Sequence, residues 1–323
     1  MSHWTRGLSL LAALYIAAPA AAQTYPARPI TIVVPASPGG VTDVLGRTLA
    51  RHLSDAWGQQ VIVENKPGAN NQLAAEYTAK AAPDGYTLFI APEVTFVVNP
   101  SLYARLAYDP VKDFTPITGL VIINHALIVH PSVPVASVKD LIELAKKRPG
   151  EINYGTYGLG STGHLNMALL ETLAGVKFVP IHYKGAAPAL TDVVAGHIQM
   201  MFVSLGTAMG QWKDGKVKLL AIGAGKRLAA LPEVPTVAEG GLSGYEAVSW
   251  FGLFGPAGMP PDVVAKINGE VRRIFADPEV RRTVIAPQFF ETITGSPEQL
   301  AAYLKAEGEK WSRVIRDANI KAE

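Results

Sequence analysis

The sequence predicts an α/β protein of two lobes joined by two crossing strands. Three observations carry this. Short β-branched or apolar runs alternate with amphipathic helical stretches, in the manner of a mostly parallel sheet. The alternation is broken at 119–130 by a long apolar stretch with polar Asn124 and His125 in its middle, after which a second α/β series begins. A chain of 323 residues is also too long for one small core and comfortable for two.

The elements follow in order. Ile30 to Val34 is a β-branched run of strand length. After the turn at Pro38-Gly39-Gly40, residues Val41, Leu45, Leu49 and Leu53 make one apolar helix stripe, and Gly58 closes it where a left-handed residue is usual. Val61 to Val63 reads as a strand, Gln72 to Ala82 as a helix stopped by Pro83-Asp84-Gly85, and Tyr86 to Ala91 as a strand. The stretch 119–130 then reads as a strand leaving one lobe for the other.

In the second series, Ser137 with Asp140 three residues later opens a helix to Lys147. Strand Ile152 to Tyr154, helix His164 to Ala174 and strand Phe178 to Ile181 follow. Helix Pro188 to Ala195 and strands Ile198 to Val203 and Val217 to Ile222 complete it. A return crossing at Val248 to Phe254 leads into helices Pro261 to Ala276, Glu279 to Val284 and Glu298 to Asp317. The expected division is lobe 1 at 24–124 and 251–323, and lobe 2 at 125–250. Two crossings make a hinge, and a ligand belongs in the cleft between the lobes.

Residues 1–22 read as a signal peptide. Arg6 precedes an apolar run from Leu8 to Ala18, too short to span a bilayer, and Ala20-Ala21-Ala22 supplies small residues for cleavage. The expectation is a periplasmic protein cut near Ala22. With no cysteine there is no lipidation site, disulfide or thiolate metal ligand, so no direct membrane anchor is expected. Without Arg6 the remaining basic and acidic residues nearly cancel, at about +1, which gives no field for nucleic acid.

Two strand–loop–helix junctions read as anion cradles. At Ser37-Pro38-Gly39-Gly40-Val41-Thr42-Asp43, two glycines let the backbone turn so that unbonded helix-start amides face outward. Their partial positive charge suits a carboxylate. Asp43, itself an anion, either meets the ligand or only caps the helix. The second junction runs from Thr156 through Tyr157, Gly158 and Ser161 to His164. Gly158, Gly160 and Gly163 fit G-x-G-x-x-G, but the acid expected about 20 residues on for a ribose is missing between Lys177 and Gly185. The dinucleotide reading fails, and a hydroxyl-lined helix start remains. Tyr183 and Lys184 follow a strand and either close on a ligand from the second lobe or are plain surface residues, while Ser204, after Val203, falls at a strand end expected at the cleft.

Catalysis finds little support. There is no G-x-S-x-G elbow around Ser204 and no Walker loop, and the seven histidines include no H-E-x-x-H. No cofactor and no metal site are expected, and the chain reads as a binding protein and not an enzyme. An exported hydrolase using Ser161 or Ser204 with His164 is the rival reading.

A set of short stretches, in order along the chain, then resembles a known family. They are Pro38 to Asp43, Val63-Glu64-Asn65-Lys66-Pro67-Gly68-Ala69, Ala82-Pro83-Asp84-Gly85-Tyr86-Thr87-Leu88 and Asn99-Pro100-Ser101-Leu102-Tyr103. Further along come Tyr108 to Phe114, Asn153-Tyr154-Gly155 with Gly160-Ser161, Tyr183-Lys184-Gly185-Ala186, and Leu231 to Val237 with Trp250-Phe251-Gly252. Nearly end to end, the chain is similar to the extracytoplasmic receptors of tripartite tricarboxylate transporters, the Bug receptors.

The resemblance implies a two-lobed periplasmic binding protein of type II topology that closes on a small carboxylate. It implies membrane transporter subunits as partners; a periplasmic ligand-sensing protein feeding a two-component system through the same site is an alternative reading. In the family, waters fixed by loops matching Ser37 to Thr42 and Thr156 to Ser161 hold one ligand carboxylate. Two departures stand out. Pro92 and Glu93 replace small hydroxyl residues, and Val203 replaces a polar one. Val203, with ring surface expected from Phe96, Tyr157 and Tyr183, favours an apolar or aromatic carboxylate over an amino acid.

Overall fold

The computed structural model describes residues 25–321, so the expected signal peptide lies outside the described residues. Lobe 1 is built on a six-stranded sheet. It contains β1 (Ile30–Val34), β2 (Val61–Asn65), β3 (Thr87–Pro92), β4 (Phe114–Ile123), β10 (Ser249–Pro256) and β11 (Phe290–Thr292) in the order β11-β4-β10-β3-β1-β2. Lobe 2 has β5 (His125–Val129), β6 (Asn153–Thr156), β7 (Val179–His182), β8 (Met200–Ser204) and β9 (Lys218–Ile222) in the order β7-β6-β8-β5-β9.

Each sheet is parallel on one side only, a correction to the mostly parallel expectation. The pairs β1·β2, β1·β3, β6·β7 and β6·β8 are parallel, whereas β10 and β4, and likewise β5 and β9, run antiparallel to their neighbours. The physical reason is the crossing itself. A strand entering from the other lobe meets the sheet from the cleft side, against the direction of the βαβ strands.

The stretch at 119–130 is two strands, not one. The break falls at Asn124, whose side-chain amide donates to Glu291 Oε1 (3.0 Å) and the Phe289 carbonyl (3.3 Å), while its carbonyl accepts the Leu205 amide (2.8 Å). These bonds pin the crossing to both lobes.

The helix α1 (Val41–Trp57) buries Leu45, Leu49 and Leu53 completely and ends on left-handed Gly58 (φ 63°). Each such leucine contributes on the order of 1.5–3 kcal/mol of burial. Helix α4 (Val138–Lys147) starts as the sequence predicts, with the Ser137 hydroxyl accepting the Asp140 amide. Helices α8 (Pro261–Ala276) and α10 (Pro297–Asp317) finish lobe 1. In α10, Ser296 and Gln299 form a reciprocal capping box, and buried Trp311 donates to Glu307 at 3.0 Å.

Two helical segments escape the sequence reading. In α7 (Leu205–Lys213), Leu205, Ala208 and Met209 are buried at helical spacing, but Gly206 and Gly210 lower helix propensity enough to hide it. After β3 the chain makes a π-helical turn, Val94–Val98, and then α3 (Asn99–Leu102). Every residue of that turn is buried, so there is no amphipathic period to read.

Candidate site in the interlobe cleft

Register brings the relevant loops to one place. β1 and β3 are parallel neighbours with Val33 opposite Phe89, so the loop after β1 and the Pro92-Glu93 corner leave the same sheet edge. β10 begins there as well, with Phe251 opposite Pro92 and Ser249 opposite Ile123. In lobe 2, His125 lies opposite Ser204 at the matching edge. Ligands of open α/β sheets sit outside such strand ends.

Between the two edges is a cavity of about 240 Å³. Lobe 1 lines it with Asn71, Glu93 and Phe251, among others, and lobe 2 with Tyr157, Thr162 and Val203. No lysine or arginine is among the lining residues. A larger cavity of about 630 Å³ opens on the outer face of lobe 1, against α10 and the Phe96, Phe114 and Phe254 rings. The smaller cavity is the candidate site, because both lobes line it and buried polar groups face it.

Those polar groups form a chain across the lobes. Thr162, the first residue of α5 (Thr162–Ala174), donates its hydroxyl to Glu93 Oε1 at 2.9 Å. The Ser249 hydroxyl donates to Thr162 Oγ1 at 3.3 Å, and the Ser249 side chain and Trp250 backbone lie close enough to Glu93 to pull its carboxyl down. His125 Nε2 is 2.8 Å from Ser249 Oγ. With the Ser249 proton directed at Thr162, the network assigns Nε2 as the donor and leaves Nδ1 an acceptor without a protein partner among the described residues. Glu93 is 4 % exposed, and its removal from water pushes its carboxyl up to about 7 against the pull of its hydrogen bonds. Burial drives His125 the other way, down to about 4.

Of the residues read from sequence, Glu93, Tyr157, Val203 and Ser204 line this cavity. Ser37, Pro38, Gly39 and Gly40 form an exposed loop at the same sheet edge, beside the start of α1 where Thr42 is buried. Asp43 is turned into lobe 1: its carboxylate accepts the Gly39 amide (2.9 Å), Arg47 Nε (2.8 Å) and Asn65 Nδ2 (2.9 Å). These bonds tie the glycine loop to α1 and β2, and Asp43 is not among the residues lining the cavity.

The second cradle splits in two. Thr156 is buried, bonded to His182 Nδ1 at 2.7 Å, and the Gly158 amide returns to its hydroxyl at 3.2 Å. His164 is buried beneath the loop, accepting the Gly160 amide at 3.2 Å with its ring against His182. Ser161 Oγ is buried with no partner among the described residues. Tyr183 gives its hydroxyl to Asp192 (2.6 Å), and Lys184 is exposed. Phe96 faces away from the cleft, its ring 4.2 Å from that of Phe254; Phe251 supplies the cavity's ring in its place.

The sequence reading missed Asn71, His125 and Ser249 as cavity residues. Asn71 carries a signal in hindsight, as a left-handed residue (φ 71°) at a helix start. Ser249 carries none, since a lone serine before an apolar strand is ordinary.

A histidine beside a serine raises hydrolysis as a question. Among the described residues the ring has no orienting partner at Nδ1 and its basicity is suppressed by burial, while Ser161 and Ser204 have no histidine bonded to them. No group of three His, Cys, Asp or Glu able to hold a metal occurs among the described residues. No helix among them is long and apolar enough to cross a membrane.

Two mixed sheets, two crossings and a polar-chained cavity between them define a two-lobed solute-binding protein. Residues 45–320 match the tripartite tricarboxylate transporter family receptor, and the chain belongs to that family. It is 33% identical to BugT of Bordetella pertussis over 307 residues, covering 95% of this chain and 94% of that one. An R. palustris protein solved with adipate superposes with a TM-score of 0.82 at 36% identity, covering 92% of this chain and all of that one. MatC from Rhodopseudomonas palustris, solved with bound malate, gives 0.76 at 32% identity over 90% of this chain and all of that one.

Proposed function

We propose that this chain is an extracytoplasmic receptor that captures a small carboxylate in the interlobe cleft and presents it to the membrane subunits of a tripartite tricarboxylate-type transporter. The observation that carries the reading is the cavity shared by both lobes, placed where sheet edges and helix starts converge. The start of α1, beside a Gly39 amide already taken by Asp43, supplies the positive end of a helix for one carboxylate. Relatives solved with adipate and malate support an acid as ligand.

Val203, Phe251, Ile123 and Tyr157 give the cavity apolar walls, so an aromatic or otherwise apolar acid gains on the order of 1–3 kcal/mol over a small hydrophilic one. The unactivated serines argue for binding without turnover.

A thermal-shift screen of a carboxylate panel tests this, because a ligand selective for the folded state raises Tm by mass action. Benzoate-type and other apolar acids are expected to stabilise the protein. Stabilisation by citrate, malate or glutamate alone would overturn the apolar-acid reading, and no shift with any acid would overturn the receptor reading. Loss of uptake of the stabilising acid on deletion supports transport, and a regulatory phenotype with normal uptake assigns the site to sensing.

A further inference from the structure

We propose that Glu93 fills, from within the protein, the place at the start of α5 that a second ligand carboxylate would take, so that the receptor selects monocarboxylates over dicarboxylates. The proposal rests on the carboxylate reading above and names the class within it.

The geometry is that of a bound acid. Glu93 belongs to lobe 1 but bonds Thr162 of lobe 2 at 2.9 Å, at the head of a 13-residue helix. A helix start carries partial positive charge and favours an anion, and Glu93 meets this one through the Thr162 hydroxyl. Ser249 and Trp250, neutral polar groups of lobe 1, stand close enough to pull its carboxyl down. The carboxylate thus has the donors an anion site offers, supplied by both lobes.

No described residue lining the cavity offsets its charge. The titratable groups facing it are Tyr157 on the loop after β6, His125 on β5 through Ser249, and Tyr303 on α10. All three are neutral near pH 7, since burial raises both phenols and lowers the imidazole. A ligand with an acid at each end must therefore bring one toward an uncompensated carboxylate. A ligand with one acid can place it at the exposed loop before α1 and lay its uncharged end along Val203 and Phe251.

Like charges a few ångströms apart in such a site disfavour the diacid by about tenfold or more. Because burial pushes Glu93 up to about 7, the discrimination grows as the pH rises past neutrality.

The test is calorimetric titration of the wild-type protein, Glu93→Gln and Glu93→Ser with two matched pairs, hexanoate against adipate and benzoate against terephthalate, at pH 6 and pH 8. Wild type should bind the monoacid of each pair at least about tenfold more tightly at pH 8, with a smaller ratio at pH 6. In both variants the ratio should fall toward one or invert and lose its pH dependence. Equal or tighter diacid binding by wild type at pH 8, or an unchanged ratio in the variants, overturns the proposal. If no acid binds to any of the three proteins, each shown folded by its melting transition, the carboxylate reading itself falls and takes this proposal with it.

Discussion

The carboxylate of Asp43 accepts the amide of Gly39, four residues before it, at 2.9 Å. The same carboxylate takes Arg47 and Asn65, and Asn65 in turn holds the Ala36 carbonyl at 2.9 Å. The glycine loop is therefore braced from beneath, with its outer face left to solvent.

Asp43→Asn should loosen that brace. The Arg47 bond, the Gly39 amide and Asn65 hold the acid down at about 2, so its contribution is present above the ordinary carboxylate range and lost as pH falls through about 2. Because Arg47 is largely exposed, the expected cost near neutrality is about 1 kcal/mol, screened by salt. Denaturant melts at pH 7 and pH 3 check it, the difference from wild type being smaller at the lower pH.

Two buried histidines make the fold sensitive to mild acid. Burial lowers His125 to about 4, and burial together with His182 lowers His164 to about 4. The unfolded chain thus binds protons that the folded chain refuses, and stability falls as pH drops from about 6.5 to 4, by at most roughly 3 kcal/mol per histidine. His164→Asn, which keeps an acceptor for the Gly160 amide, should flatten that slope in melts from pH 7.5 to 4.5.

Glu93 opposes the histidines. Its raised carboxyl gives a contribution that is full below about 4.5 and lost as pH rises through about 7. Glu93→Gln should therefore gain stability relative to wild type between pH 5 and pH 8. A constant offset across that range would show that Glu93 does not titrate there.

Gly160 touches the opposite lobe. Its φ is +69°, and a Cβ built there would lie 2.6 Å from Leu102 Cδ2 of α3. Gly160→Ala should cost on the order of 1 kcal/mol in backbone strain and weaken ligand affinity by resisting closure. Leu102→Ala in the same chain should restore much of the affinity but none of the backbone strain, which scattering with and without a stabilising acid can follow.

Val203 is 1 % exposed, pairs with Ala126 across β5 and forms a wall of the cavity. Val203→Asn buries an amide at a cost of roughly 1–3 kcal/mol and should lower affinity for benzoate-type acids by about tenfold. Titration of benzoate and malate into both proteins checks that the loss falls on the apolar acid.

Much of the architecture was legible because local physics fixes it. The α1 stripe, its left-handed Gly58 and the Ser137 cap are short-range patterns, as is the β-branched run at 30–34. The same holds for the polar pair Asn124-His125, which marks the crossing between the sheets. The direction of the crossing strands was not legible, because strand pairing is decided by partners more than a hundred residues away, as in Ser249 opposite Ile123. Nor was α7, whose glycines disguise a buried stripe.

The same division runs through the cleft. By itself the sequence determined the two glycine-rich helix starts, the unusual Glu93 and Val203, and the membership of a receptor family, since each is a matter of residue type in local order. Only the tertiary structure decided that Asp43 turns inward to Gly39 and Arg47, that Phe96 faces the outer side of lobe 1, and that Glu93 reaches across to Thr162. The reason is physical: whether a carboxylate is free, braced or buried depends on which donors the fold brings to it and how much water it removes. Those donors come from strands and helices far apart in the chain.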